Sequence, residues 1–403
     1  MRQVGDLEIA EDAVQEACAA AMARWPDAGV PEHPRAWLVA TARHKTLDWQ
    51  RREARRFQKE EAAVRERADL GDPTEVGPIP DDQLALVFLC CHPALDLEVR
   101  VPLTLRSVCG LSTSQIAAVF LVSEPTMAQR LVRAKRKIRE AGIAFKVPSA
   151  DGFGERLAGV RRVVYLVFTE GHRASGGEDL IRPELCEQAI QLARALADLQ
   201  PGEPEAAGLL ALLLLVDARR AARVDAGGDL VLLADQDRGL WDRAKIAEGA
   251  ALVERTLGAG RPGPYQIQAA IAACHSTAPT AADTDWGEIA GLYEQLLRHE
   301  PTAVVEANRA VAVAMADGPA AGLAILDALA GRPQLDGWSQ LHVARADLLS
   351  RLGRHDDAHR AYRRALDLRP PAAERAFVLK RLRESGDPEG GAPSASRRTR
   401  RER

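Results

Sequence analysis

Three features of the 403-residue chain predict an all-α fold. Aromatic residues make up only 4% while Ala, Leu and Arg abound, a balance that suits helices and disfavours a large sheet. Apolar residues recur at steps of three and four through most of the length, and Pro- and Gly-bearing breaks cut that pattern into helix-sized pieces. The stretch Gly110 to Ala141, GLSTSQIAAVFLVSEPTMAQRLVRAKRKIREA, has the form of a helix-turn-helix whose second helix is loaded with Arg and Lys on one side.

Residues 1–67 read as helices. Ile9, Ala13, Val14 and Ala17 form an apolar face on a first helix whose other side carries Glu11, Asp12, Gln15 and Glu16. A turn is expected from Trp25 to Pro31, with Pro34 as a further breaker. Ala36, Trp37, Leu38, Thr41, Ala42, Leu47 and Trp49 then begin a long helix that becomes strongly basic after Asp48. Residues 68–82, with three prolines and two glycines, have linker composition.

Residues 83–147 hold a helical pair followed by the helix-turn-helix. Ser112 or Thr113 can cap its short first helix, whose apolar residues are Ile116, Val119 and Phe120. The chain breaks at Leu121, Val122 and Ser123. Ser123 is a good cap for the next helix, and Pro125 sits early enough there to be tolerated. Met127, Leu131, Ala134 and Ile138 fall on one buried stripe, so Gln129, Arg130, Arg133, Arg136 and Lys137 point elsewhere. Such a helix fits the major groove, its early side chains meeting base edges and its later cations meeting phosphates. A merely solvated basic surface would need neither the two caps nor the three-residue turn.

Pro148 to Gly154 is a second, shorter hinge, and residues 155–299 form a helical extension. Within 300–384, Asp347 to Arg354 and Ala358 to Leu368 have tetratricopeptide spacing. There a Leu-Gly pair ends one helix, small Ala358 and Ala361 allow close contact, and Tyr362 with Leu366 fills the gap. A weaker copy runs from Glu300 through Ala314, with Gly322 to Leu329 as its partner helix. The last residues, 385–403, are polar, Gly/Pro/Ser-rich and basic, the composition of a disordered tail.

Composition also sets exclusions. With 54 Lys and Arg against 57 Asp and Glu, the chain as a whole is no polyanion binder; its cations are clustered locally instead. The longest apolar run, Leu209 to Val216, falls far short of the ~20 residues a membrane helix needs, and the N-terminus lacks the apolar core of a signal peptide. A cytoplasmic protein without a membrane partner is therefore expected. Cys90, Cys91 and His92 tempt a metal reading, but adjacent cysteines poorly ligate one ion and no second cluster follows, so buried thiols and no metal are expected. No nucleophile-base pair, phosphate-cradling Gly loop or cofactor motif appears, so no catalytic residue, cofactor or enzyme activity is assigned. The cluster Asp235 to Arg243 reads as a salt-bridged helix start in preference to a hydrolytic or metal site, and His172 and His275 as packing or capping residues.

Two basic helical blocks joined by a linker resemble the extracytoplasmic-function (group IV) branch of the sigma-70 family of RNA polymerase sigma factors. Asp6 to Ala17 is similar to the acidic helix that in this family grips the polymerase clamp. Trp37 to Asp48 with Arg51 and Arg52 is similar to the helix that melts and reads the proximal promoter element, and the helix-turn-helix resembles region four, which reads the distal one. With Phe88 to Leu95 and the long helical extension, the chain looks like the subgroup bearing a tetratricopeptide-like C-terminal domain. The resemblance implies core polymerase binding through Glu11, Asp12, Gln15 and Glu16. It implies proximal contacts from Arg43, His44, Lys45, Asp48, Arg51 and Arg52, and distal contacts from Thr126, Gln129, Arg130, Arg133, Arg136 and Lys137. Trp37 or Trp49 could offer a stacking platform, although Trp37 fits a core role better. A regulatory protein partner is expected for the extension.

Three departures from the family pattern stand out. Only Met1 to Gly5 precede the acidic helix where another helix is usual, so either the start lies upstream or this unit lacks part of its core. His44 stands where Asn is common, and Leu121 occupies a turn position usually held by Gly. The rival readings are a helix-turn-helix regulator with a helical sensor domain and a helical-repeat scaffold.

Overall fold

A computed structural model describes residues 7–46, 86–140 (except Leu89, Pro93, Ala94, Asp96 and Leu121), 154–174 and 181–385 (except Ala226, Gly228, Ala259, Arg261, Pro333, Gln334, Asp336 and Pro371). The linker at 68–82, the hinge up to Phe153 and the tail beyond Ser385 lie outside these. Among the described residues all regular structure is helical, apart from one antiparallel bridge between Val224 and Leu230. Compact contacts divide the chain into two units, 1–167 and 168–403.

In the first unit a helix runs Leu7–Ala28. Its buried stripe is Ala10, Ala13, Ala17 and Ala21, at steps of three, four and four. Val14, expected on that face, is 54% exposed. The stripe centres between Ala13 and Ala21, and Val14 lies on its flank, about 100° per residue around the axis. The expected turn at Trp25 is also corrected, because the helix continues through Pro26. Proline there removes a single backbone donor. The helix stops where Gly29 takes φ +79° and its N–H bonds to the Trp25 carbonyl at 3.0 Å. Residues 34–46 are helical, and half-buried Trp37 meets Trp25 edge-on at 5.5 Å.

Farther along, Leu97–Ser107, Thr113–Val119 and Glu124–Glu140 pack on one another as a three-helix group. Cys90 and Cys91 are buried beside Phe88 and Leu95, and burial pushes the Cys91 thiol up to about 11. They are protonated core groups.

In the second unit Pro204–Asp217 is the central helix, packed by Pro183–Leu199, Arg243–Leu257 and Pro264–Thr277. Its leucines from Leu209 to Leu215 are buried on every side, each contributing roughly 1.5–3 kcal/mol. Glu205 near its start accepts the Tyr265 and Gln266 backbone N–H groups at 3.2 and 3.0 Å, so one carboxylate satisfies orphan donors at the start of a neighbouring helix. Where the helix ends, buried Asp217 takes Lys245 at 2.6 Å.

Trp286–His299, Ala303–Ala316, Pro319–Leu329, Ser339–Arg351, His355–Asp367 and Ala372–Ser385 follow, each packed on the next. Ala358, Ala361 and Tyr362 are buried and Gly353 turns the chain at φ +75°. Gly322 faces Ala310 and Ala314 so closely that a Cβ would fall on the Ala310 carbonyl. Gly322→Val should therefore lower stability by about 1–3 kcal/mol through overpacking, read by thermal unfolding.

His172 stacks on Phe168 at 5.5 Å and His275 meets Trp286 edge-on at 5.1 Å, as the packing roles expected of them require. Burial, then Arg223, Arg219, Arg173 and Arg220, bring His172 down to about 2, while burial with Arg219 and Arg238 brings His275 to about 4. The unfolded chain binds these protons near the ordinary 6.5 and the folded chain does not, so stability is lost as pH falls below 6.5. The melting temperature should drop between pH 7.5 and 5, above the carboxylate range, and His275→Gln should reduce that drop.

Candidate nucleic-acid interface

The helix-turn-helix is built from its caps. Ser112 accepts the Gln115 backbone N–H at 3.2 Å while Gln115 Oε1 accepts the Ser112 N–H at 2.6 Å, a full capping box. Ser112, and not Thr113, is thus the cap. The short helix ends at Val119; Phe120, expected inside it, is the C-cap residue, its N–H bonding to the Ile116 carbonyl at 3.1 Å. Leu121 lies outside the described residues. Ser123 caps the second helix, accepting the Thr126 N–H at 3.4 Å and exchanging a 2.8 Å hydrogen bond with its hydroxyl.

Met127, Leu131 and Ala134 are 0%, 7% and 1% exposed, and Ile138 packs against Leu95 and Leu103. That burial turns the cations outward. Thr126, Gln129, Arg133, Arg136 and Lys137 are exposed and Arg130 is half-buried, so all six candidates for the distal element lie off the buried stripe. Arg136 pairs loosely with Glu140 at 3.6 Å.

The second basic surface is on the 34–46 helix, where Arg43, His44 and Lys45 are exposed. A groove of about 940 Å³ runs beside it, lined among others by His33, Arg35, Val39, Arg43 and His44. Sequence reading passed over His33 and Arg35. Their place one and two helical turns before Trp37 and Arg43 was the available signal. Asp48, Arg51 and Arg52, and with them Leu47 and Trp49, lie outside the described residues.

On the acidic helix Asp12, Gln15 and Glu16 are exposed and Glu16 pairs with Lys45 at 3.1 Å. Glu11 is engaged otherwise. Its carboxylate accepts Lys135 of the basic helix at 2.9 Å, a pair that spacing along the chain gave no means of seeing.

A capped helix-turn-helix with an outward cationic face defines a DNA-binding protein. Comparison with known proteins narrows the class. Residues 1–56 match the family described as Sigma-70 region 2, residues 85–138 match Sigma-70, region 4, and residues 156–257 match a family of unknown function, DUF6596. The chain is 45% identical over 388 residues to an uncharacterized protein of Rhizobium meliloti (strain 1021), spanning 95% of this chain and 91% of that one. It is also 32% identical over 155 residues to the probable ECF RNA polymerase sigma factor SigI of Mycobacterium tuberculosis (strain CDC 1551 / Oshkosh), spanning 37% of this chain and 52% of the relative. The chain therefore carries the region 2 and region 4 domains of the sigma-70 family, which together with this relative support a sigma factor of that family. Among the described residues no helix is long and apolar enough to cross a membrane.

Because the Ser112 hydroxyl accepts the Gln115 backbone N–H, Ser112→Ala removes that half of the capping box and should cost ~1 kcal/mol. Chemical denaturation of the full chain measures it.

Proposed function

We propose that this chain is a sigma factor of the extracytoplasmic-function type, which binds core RNA polymerase and directs promoter recognition. The observation that carries the reading is the pairing of both sigma regions in one chain with an outward cationic face on each. In this reading Glu11, Asp12, Gln15 and Glu16 meet the polymerase clamp. Arg43, His44, Lys45, Asp48, Arg51 and Arg52 serve the proximal element, where cations follow the phosphates of melted DNA. Thr126, Gln129 and Arg130 meet bases of the distal element, and Arg133, Arg136 and Lys137 meet phosphate. Polymerase must take Glu11 from Lys135, which frees a cation on the basic helix at the moment of assembly.

Residues 155–299 and the tetratricopeptide-like helices from 300 to 384 regulate or complete the factor, because stacked helix pairs build partner surfaces and bring no chemistry of their own. A regulatory protein partner for that surface, and a cytoplasmic location without enzymatic activity, follow from the same reading.

Run-off transcription with core polymerase is the direct test, comparing the full chain with one ending at Lys146. The full chain should initiate at a discrete site and the truncated one should differ in activity or polymerase affinity. Failure of both to initiate overturns the sigma assignment, and identical behaviour removes the role given to the extension.

Base and phosphate contacts should separate in binding assays. Arg130→Ala should relax preference at one promoter position by about 1–3 kcal/mol, whereas Lys137→Ala should weaken all sites alike and lower the salt slope by about 1. Titrations of specific and scrambled duplexes at two salt concentrations read both effects.

A further inference from the structure

The basic helix Glu124–Glu140 carries one large apolar residue that its core does not use. Val132 is 67% exposed, and among the described side chains of 86–140 it is the one large hydrophobic left so open to solvent. It lies about 100° around the axis from buried Leu131, off the stripe of Met127, Leu131 and Ala134. Gln129 precedes it by three residues and Arg136 follows it by four, so the three stand in one row along the exposed side. A lone exposed valine is ordinary on a protein surface. Its place in this row, between two polar side chains turned away from the core, is what calls for a role.

Charge along the helix sharpens the point. Residues 124–132 hold one cation, Arg130, whereas 133–140 hold Arg133, Lys135, Arg136, Lys137 and Arg139. From Pro125 to Val132 the fully exposed residues, Pro125, Thr126, Ala128, Gln129 and Val132, carry no charge. Neutral groups beside base edges and cations beside phosphates are the division that a duplex groove imposes. Val132 is the last exposed uncharged residue on the neutral part, so it falls on the base-reading side of that division.

Its chemistry narrows the base. Valine on a helix keeps essentially one χ1 rotamer, so its methyl groups stand in a fixed place and lose little entropy on contact. The side chain neither donates nor accepts a hydrogen bond, and pressing it on a polar base edge would strip water from that edge without return. Thymine alone among the four bases presents a methyl group in the major groove. On the promoter-reading function given above, we propose that Val132 is a specificity-determining residue of the basic helix, selecting thymine at one position of the distal element by contact with its 5-methyl group.

The full chain assembled with core RNA polymerase first selects duplexes from a randomised pool. Each thymine of the selected distal sequence is then replaced singly by uracil, which removes the methyl group and leaves every hydrogen-bonding edge in place. One replacement should weaken binding about fourfold, the equivalent of one buried methyl group. Val132→Ala should abolish that difference and bind the thymine and uracil duplexes alike. Its salt slope should match the parent's, because no charge is removed. Its melting temperature should not fall, since alanine is the better helix former and the position is exposed. A thymine–uracil difference that persists in Val132→Ala overturns the proposal, as does a parent indifferent to every uracil. Weaker polymerase affinity with the base ratio unchanged makes Val132 a polymerase contact only, which overturns it equally. Failure of the pool to enrich removes the promoter-reading function and this inference with it, whereas enrichment without uracil sensitivity removes this inference alone.

Discussion

The orientation of the basic helix rests on one constraint, that Glu124–Glu140 can bury only one side. Met127, Leu131 and Ala134 take that side, and Ile138 extends it onto Leu95 and Leu103. Removing Met127 and Leu131 from water contributes roughly 1.5–3 kcal/mol each. Rotating the helix to bury its cations would forfeit that and add the cost of desolvating charge. The outward face is therefore a consequence of core packing, reinforced by the cost of burying charge. The caps at Ser112 and Ser123 then fix where each helix begins, so the residues proposed to meet bases fall within the first two turns after a defined start.

A parallel constraint governs the second unit. Between Glu205 and Asp217 the helix Pro204–Asp217 has no polar side to give to water, so neighbours must enclose that stretch. The chain leaves this enclosure only at its C-terminal end, where Asp217 is neutralised by Lys245 and Arg220. Arg219 and Arg223 follow within six residues and cannot swing far from the interior. Their shielding is inherited from the helix that precedes them.

Local patterns were legible in the sequence to the extent that local physics decides them. The Ser112 cap, the Met127 to Ile138 stripe and the Ala358, Ala361 and Tyr362 contact all depend on spacing within one or two helices, and spacing is printed in the chain. The end of the first helix was misread because Pro26 looks like a breaker, whereas one lost donor near a C-terminus is cheap and the stop belongs to Gly29. Val14 was misassigned because apolar character marks a candidate for burial, but only a facing neighbour buries it. The Glu11–Lys135 pair was invisible for a different reason. It joins residues whose proximity is set by tertiary packing, across 124 positions.

Formal charge near zero conceals two populations of cations that answer to different physics. Lys45 with Glu16 and Arg136 with Glu140 are exposed pairs, worth ~0–1 kcal/mol and screened by salt. Lys135 with Glu11 is more sheltered but still reaches solvent on both sides. Such cations can exchange a carboxylate for a phosphate or a partner's charge at little cost, which suits a surface that must assemble and release. Arg219 and Arg223 lack that freedom. Their surroundings hold other guanidiniums and neutral histidines, and mobile ions gain little access to a shielded Nε.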